Sequence, residues 1–213
     1  MPASRLHLVR HGEVFNPKGV LYEQLEGFKL SELGEKMALA AAQELKSQGR
    51  VFSRLLVSPL LRTQQSAKPV SELLGLSIET EPRVIEPWNK FKGLKVGPAA
   101  LLRRPSIALS LYNPSRPSWG EPFKEIAARM NEAALEAWNT TESGDVVIVS
   151  HQLPIWMVYR SSKGLSLPHD PRSRRCSLSS ITSFEVVDGK LKEVSYLEPG
   201  LKVAKDAVDG GAV

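Results

Sequence analysis

A chain of 213 residues with 42% hydrophobic and 24% charged side chains is long enough to bury a sizeable core and has the composition of a globular protein. Its single cysteine, Cys176, excludes an internal disulfide and a cysteine-based metal cluster, and no apolar run approaches the roughly 20 residues of a membrane-spanning helix. The net charge of +5 is spread along the chain without a nucleic-acid-binding signature, so neither nucleic acid nor membrane is expected as a partner.

In chain order, Leu6, Leu8 and Val9 form an apolar run that reads as a buried strand and stops at Arg10-His11-Gly12-Glu13. Gly12 lets the backbone turn there and lets a ligand approach the main chain. This strand starts too early to leave room for a signal peptide, and a cytoplasmic protein is expected. Ser31 fits the cap of a helix on which Leu33, Met37, Ala41 and Leu45 share one face, ending near Gly49. Leu55-Leu56-Val57-Ser58 is a second strand, followed by Pro59 and a helix with Arg62 in its first turn. Phe123, Ile126, Met130, Ala134 and Trp138 form a helical stripe that belongs to a core, not to a cofactor box. After Ser143-Gly144, the β-branched run from Val146 to Ser150 is a strand that ends at His151-Gln152, with Pro154 placed for the first turn of a helix.

Ser180 to Val187 and Leu191 to Tyr196 flank Asp188-Gly189, a strong hairpin signal that predicts an antiparallel edge. No linker, repeat or low-complexity tract divides residues 1–197, which read as a single domain. Periodicity is lost from about Glu198, and Pro199-Gly200 and Gly210-Gly211 predict a frayed tail over residues 198–213. The elements together predict an α/β fold: a three-layer α/β/α sandwich around a mostly parallel sheet with an antiparallel edge.

Three strand ends thus offer Arg10, His11, Arg62 and His151, and in open α/β sheets the carboxyl edge is where ligands bind. Two guanidinium groups hold phosphate oxygens through forked, charge-assisted hydrogen bonds, and helix amino termini add N–H donors. A histidine beside two arginines is biased toward its neutral form, whose lone pair can attack phosphorus, which makes His11 the candidate nucleophile. His151, cationic once a dianion is bound, would stabilise charge on the transferring group. His7, inside the first strand, reads as structural.

Arg10-His11-Gly12-Glu13 followed by Asn16, Ser58-Pro59-Leu60-Leu61-Arg62-Thr63-Gln64-Gln65-Ser66-Ala67, and Ser150-His151-Gln152 resemble, in order and spacing, the motifs of the histidine phosphatase superfamily, the branch that contains phosphoglycerate mutases and related phosphatases. Gly120-Glu121 ahead of a helix with Arg129 is similar to a further block, with Pro122 where the family often has serine. The resemblance implies a phosphoglycerate mutase-like fold, a phosphorylated His11, and phosphoryl binding by Arg10, Arg62, Asn16 and His151, with Gly12 and Gln152 contributing at the strand ends. It also implies a general acid near the arginines at the position of Glu86, although Pro87 to Gly93 departs from the family pattern. Glu13 would shape the pocket or stand behind it as a supporting carboxylate.

The implied activity is a metal-independent phosphomonoesterase that needs no cofactor and acts on a small phosphorylated substrate. The alternatives are phosphoryl transfer of the phosphoglycerate mutase type, which the chain's short length disfavours, and an inactive phosphate-binding interaction domain, which the retained histidines and arginines disfavour. The segment from Gly93 to Ser118, with Arg103, Arg104 and Arg116, resembles the family's variable lid. The basic run around Arg172, Arg174 and Arg175 is either a solvated loop or an approach to the crevice. Oligomeric state is open, a homodimer included.

Overall fold

The computed structural model describes residues 2–95 and 119–204. One six-stranded sheet runs in the order β3-β2-β4-β1-β5-β6. Its strands are β1 (Arg5–Arg10), β2 (Phe52–Val57), β3 (Ile78–Thr80), β4 (Asp145–Ser150), β5 (Ile181–Val187) and β6 (Lys190–Leu197). β1, β2, β3 and β4 are mutually parallel where they pair, while β5 runs antiparallel to β1, and β6 antiparallel to β5. The carboxyl ends of β1, β2 and β4 therefore share one edge, with β1 and β4 adjacent and in register from Arg5–Asp145 to Arg10–Ser150.

Among the described residues, five helices cover this sheet: α1 (Glu32–Ser47), α2 (Leu61–Leu74), α3 (Phe123–Thr140), α4 (Gln152–Ser162) and α5 (Pro199–Val203). β4 shows why they lie on both faces. All six of its residues are buried; Val146 and Ile148 pack with Met130, Ala134 and Trp138 of α3, and Val147 and Val149 pack with Ala41 and Leu45 of α1 and Ala67 and Val70 of α2. A continuous β-branched run is what a strand covered on both faces requires. The expected three layers are therefore present.

Ser31 caps α1 as expected, its hydroxyl accepting from Gly34 N–H at 2.9 Å. The hairpin turns through Asp188 and Gly189, both with positive φ (50° and 72°), the backbone that an Asp-Gly turn supplies. β2 begins three residues before the run at Leu55, and β3 joins the sheet edge as a strand of three residues. The frayed tail expected from Glu198 does not hold for its first part. Pro199–Val203 is helical, Pro199, Gly200 and Ala204 are buried, and Ala204 packs with Met37 of α1 and Leu178. Three buried small residues anchor the segment to α1 despite its lack of periodicity.

The loop after β1 meets the start of α1 backbone to backbone. A Cβ on Gly12 would stand 2.3 Å from the Gly34 carbonyl oxygen, and one on Gly34 would stand 2.0 Å from the Glu13 carbonyl oxygen. This contact locks the turn that follows His11 against α1.

Candidate active site

His11 leaves the end of β1 with its main-chain N–H bonded to the Ser150 carbonyl at 3.2 Å and its own carbonyl accepting from Ser179 N–H at 3.2 Å. Its ring is buried. Nδ1 lies 2.7 Å from the Gly12 carbonyl, and because a carbonyl only accepts, Nδ1 carries the proton and Nε2 keeps the lone pair. Burial first, then the Arg62 and Arg10 guanidinium groups, hold the His11 pKa well below the ordinary imidazole value. The His151 ring stands 5.3 Å away, edge to face.

Both arginines are almost completely buried. Arg10 donates from Nη1 to the Cys176 carbonyl at 2.6 Å. Arg62 donates from Nη2 to the Glu23 carbonyl and lies 4.8 Å above the Tyr22 ring, while its Nε–H is buried with no hydrogen-bond partner among the described residues. A buried guanidinium N–H without a partner is costly unless an anion takes it. Ser66 joins the two motifs, accepting from Gly12 N–H at 3.1 Å and donating to the Arg62 carbonyl at 2.8 Å.

His151 ends β4 and precedes α4. Arg62 Nη2 lies 3.3 Å from its Nδ1, which must therefore accept, and its Nε2–H then donates to Ser58 Oγ at 2.7 Å. Burial, followed by Arg62 and His11, holds this pKa too well below the ordinary value. With these neighbours the ring is neutral, and the cationic form expected with a bound dianion requires that anion to offset the repulsion from the arginines.

Glu86 Oε2 stands 3.5 Å from His151 Nδ1. Burial raises its pKa against the pull of Arg62 and Arg10, the direction that favours a carboxyl holding its proton. A small cleft is lined by Arg10, His11, Tyr22, Glu23, Arg62, Glu86 and Gln152. The structure thus gathers His11, His151, Arg10, Arg62, Glu86 and Gln152 at one edge.

Asn16 and Gly12 stand outside that lining. The Asn16 amide closes the 16–20 loop, donating to the Val20 carbonyl at 2.8 Å and accepting from its N–H at 3.2 Å. Gly12 serves through its backbone, as acceptor for His11 and donor to Ser66. Glu13 accepts from Ser31 Oγ at 2.5 Å, supporting the cap of α1.

Arg129 holds Glu121 through two hydrogen bonds of 2.7 and 2.9 Å and donates to the Arg83 carbonyl. Of the basic run, Arg172 pairs with Asp170 on the surface, and Arg175 pairs with Glu193 between the Tyr159 and Tyr196 rings. Arg174 turns toward the cleft, with Nη1 3.4 Å from Gln152 Oε1. Arg103, Arg104 and Arg116 lie outside the described residues. Tyr22 and Glu23 line the cleft without any sequence signal; they come from a loop with no periodicity, and only the register of the Asn16-to-Ser31 span could have pointed to them.

The family model described as histidine phosphatase superfamily (branch 1) matches residues 6–198. The chain belongs to the histidine phosphatase superfamily. This histidine phosphatase is an enzyme of the phosphatase and phosphoglycerate mutase-like kind. It is 43% identical over 197 residues to the uncharacterized protein Rv0525 of Mycobacterium tuberculosis, covering 92% of this chain and 96% of that one. It is 30% identical over 196 residues to a probable phosphoglycerate mutase, GpmB, of Yersinia enterocolitica, covering 83% and 84%. Among solved structures, the mycobacterial glucosyl-3-phosphoglycerate phosphatase complexed with inorganic phosphate matches with a TM-score of 0.72 at 22% identity over 92% of this chain and 99% of that one. Bacillus stearothermophilus YhfR matches with 0.73 at 21% over 98% of each. These last two likenesses show the fold. Among the described residues no helix is long and apolar enough to cross a membrane.

Proposed function

We propose that this histidine phosphatase hydrolyses a small phosphomonoester in the cytoplasm, without a metal, through a phosphohistidine on His11 Nε2. The observation that carries the reading is the His11 ring: Nδ1–H fixed on the Gly12 carbonyl at 2.7 Å, Nε2 left with its lone pair, and two buried arginines beside it. In the first step Nε2 attacks phosphorus in line, the bond from phosphorus to the alcohol oxygen breaks, and the Glu86 carboxyl gives its proton to that oxygen. Arg10, Arg62 and His151 hold the three equatorial oxygens, where charge is greatest. In the second step water gives a proton to the Glu86 carboxylate and its oxygen attacks phosphorus. The phosphorus–nitrogen bond breaks, returning the electron pair to Nε2 and releasing inorganic phosphate.

The test is phosphate release from p-nitrophenyl phosphate and a panel of sugar phosphates, phosphoglycerates and nucleotides with EDTA present, together with acid-labile labelling of the enzyme. Wild-type activity that survives EDTA and is lost in His11→Ala, with the label, supports the reading; unlabelled enzyme or an active His11→Ala overturns it. The likeness to a probable phosphoglycerate mutase keeps phosphoryl transfer as a second reading, and it is separated by whether labelled enzyme passes its phosphate to a phosphoglycerate or to water.

A further inference from the structure

Nothing in the sequence marks Glu23, yet it touches both halves of the site. Its main-chain carbonyl accepts from Arg62 Nη2, on the phosphate side. Its side chain turns the other way: Oε2 accepts from Asn89 N–H at 3.0 Å, and Oε1 accepts from the Asn89 side-chain amide. Asn89 Oδ1 in turn accepts from Phe91 N–H at 2.7 Å. Next to Glu23, Gln24 donates from Nε2 to the Glu86 carbonyl at 2.6 Å. Two consecutive residues therefore fasten both ends of the 86–89 segment, whose first residue is Glu86.

Glu23 is 5% exposed and has a φ of 32°, a left-handed backbone that glycine adopts at less cost. A buried non-glycine residue kept in that conformation points to a contribution from its side chain that offsets the strain.

We propose that Glu23 is a positioning residue for acid catalysis: it holds the Glu86 segment at a fixed distance from Arg62, so that proton donor and phosphate clamp stay in register. The role of Glu86 rests on the phosphatase reading above, whereas the clamp can be read without turnover. The titration of Glu23 agrees with the geometry. Burial, then the Glu86 charge, lift its pKa to about 7, while the Asn89 hydrogen bond draws it down.

Two variants test the clamp. Glu23→Gly keeps the carbonyl that Arg62 uses and relieves the backbone; Glu23→Gln keeps the length but has one acceptor oxygen for the two Asn89 donors. In Glu23→Gly, kcat/KM for an alkyl phosphate should fall about 30-fold and that for p-nitrophenyl phosphate less than about 3-fold, because a good leaving group does not need the acid. Glu23→Gln should fall between this variant and the wild type. Adding Asn89→Ala to Glu23→Gly should cost little more than Glu23→Gly alone, since Glu23→Gly already removes both hydrogen bonds from Asn89.

Amide hydrogen exchange at Asn89 and Phe91 should rise about tenfold or more in Glu23→Gly. Equal losses on both substrates, additive losses in the double variant, or wild-type exchange at Asn89 and Phe91 would overturn the proposal. If Glu86→Gln itself shows no leaving-group dependence, the acid assignment fails and the exchange measurement alone decides the clamp.

Discussion

His7 lies inside β1 and His11 four residues on, just past its end; both are buried and both have a pKa below the ordinary imidazole value, yet their surroundings differ completely. His7 accepts from Ser183 Oγ at 2.9 Å on Nδ1 and donates from Nε2 to Asp145 at 3.0 Å. Burial lowers its pKa more than Asp145 raises it, so this contact is a hydrogen bond from a neutral imidazole to a carboxylate rather than an ion pair. Burial works to raise Asp145, but the bonds from His7 and Arg50 carry it below the usual carboxylate range. Every polar atom in that cluster is matched. His11 instead has one nitrogen matched by a carbonyl, and its ring lies in the positive field of Arg62 and Arg10. Burial alone does not distinguish the two histidines; what distinguishes them is whether the second nitrogen meets a partner or the ring lies in a field of positive charge.

Exchanging the two histidines for alanine is the most forceful way to break this comparison. His11→Ala should lower turnover on the order of 10⁴-fold or more while the melting temperature stays level or rises, because an imidazole held beside two guanidinium groups does not favour the fold. His7→Ala should cost roughly 3 kcal/mol of stability, the sum of a lost hydrogen-bond pair and a small cavity, with activity per folded molecule kept. Calorimetry and active-site titration on both variants would check this, and a stable His7→Ala or an unstable His11→Ala would erase the distinction.

The next effect concerns pH. Because the raised Glu86 must carry its proton to act as an acid, kcat/KM for an alkyl phosphate should fall as pH rises through its pKa, and Glu86→Gln should flatten that limb with a loss of about 10². A profile measured on both an alkyl and an aryl phosphate would show it, the aryl substrate responding least.

A smaller effect is expected in stability. All four histidines have depressed pKa values, so below about pH 6.5 the unfolded chain binds more protons than the folded one and stability falls on acidification. Glu23 and Glu86, raised in the fold, act in the opposite sense, their contribution being lost as pH rises through the folded values. With four imidazoles against two carboxyls, the melting temperature should be lower at pH 5.5 than at pH 7, and His11→Ala should narrow the gap. Least affected should be Arg174→Ala, whose Nη1 lies 3.4 Å from Gln152 Oε1 at the side of the cleft; a rise in KM within about tenfold and an unchanged kcat are expected.

The strand ends that bring Arg10, His11 and His151 together were legible because their apolar runs are interrupted by arginine and histidine at a position a core strand would not place them. β4 reads as buried on both faces and is. The five residues of the α3 stripe, Phe123, Ile126, Met130, Ala134 and Trp138, are all buried, and Ala127, Ala133 and Ala137, which the stripe did not include, widen that face. β3 was not legible, since three residues with exposed Ile78 and Thr80 carry no pattern. Neither was the helix at Pro199, whose anchoring depends on Gly200 lying against the Leu178 carbonyl, a tertiary fit with no local signature. Glu23 escaped for a related reason: its role comes from contacts 39 residues away at Arg62 and 66 residues away at Asn89.

The contact between Gly12 and Gly34 has a consequence for anyone who wants to retune this enzyme. Each glycine meets a main-chain oxygen and not a side chain, so no compensating substitution elsewhere can open the missing space. A saturation library at either position should return glycine alone among active clones, however permissive the screen. Tyr22, Gln152 and Arg174 present side chains, and diversity introduced there can alter the alcohol the enzyme accepts without disturbing the turn that aims His11.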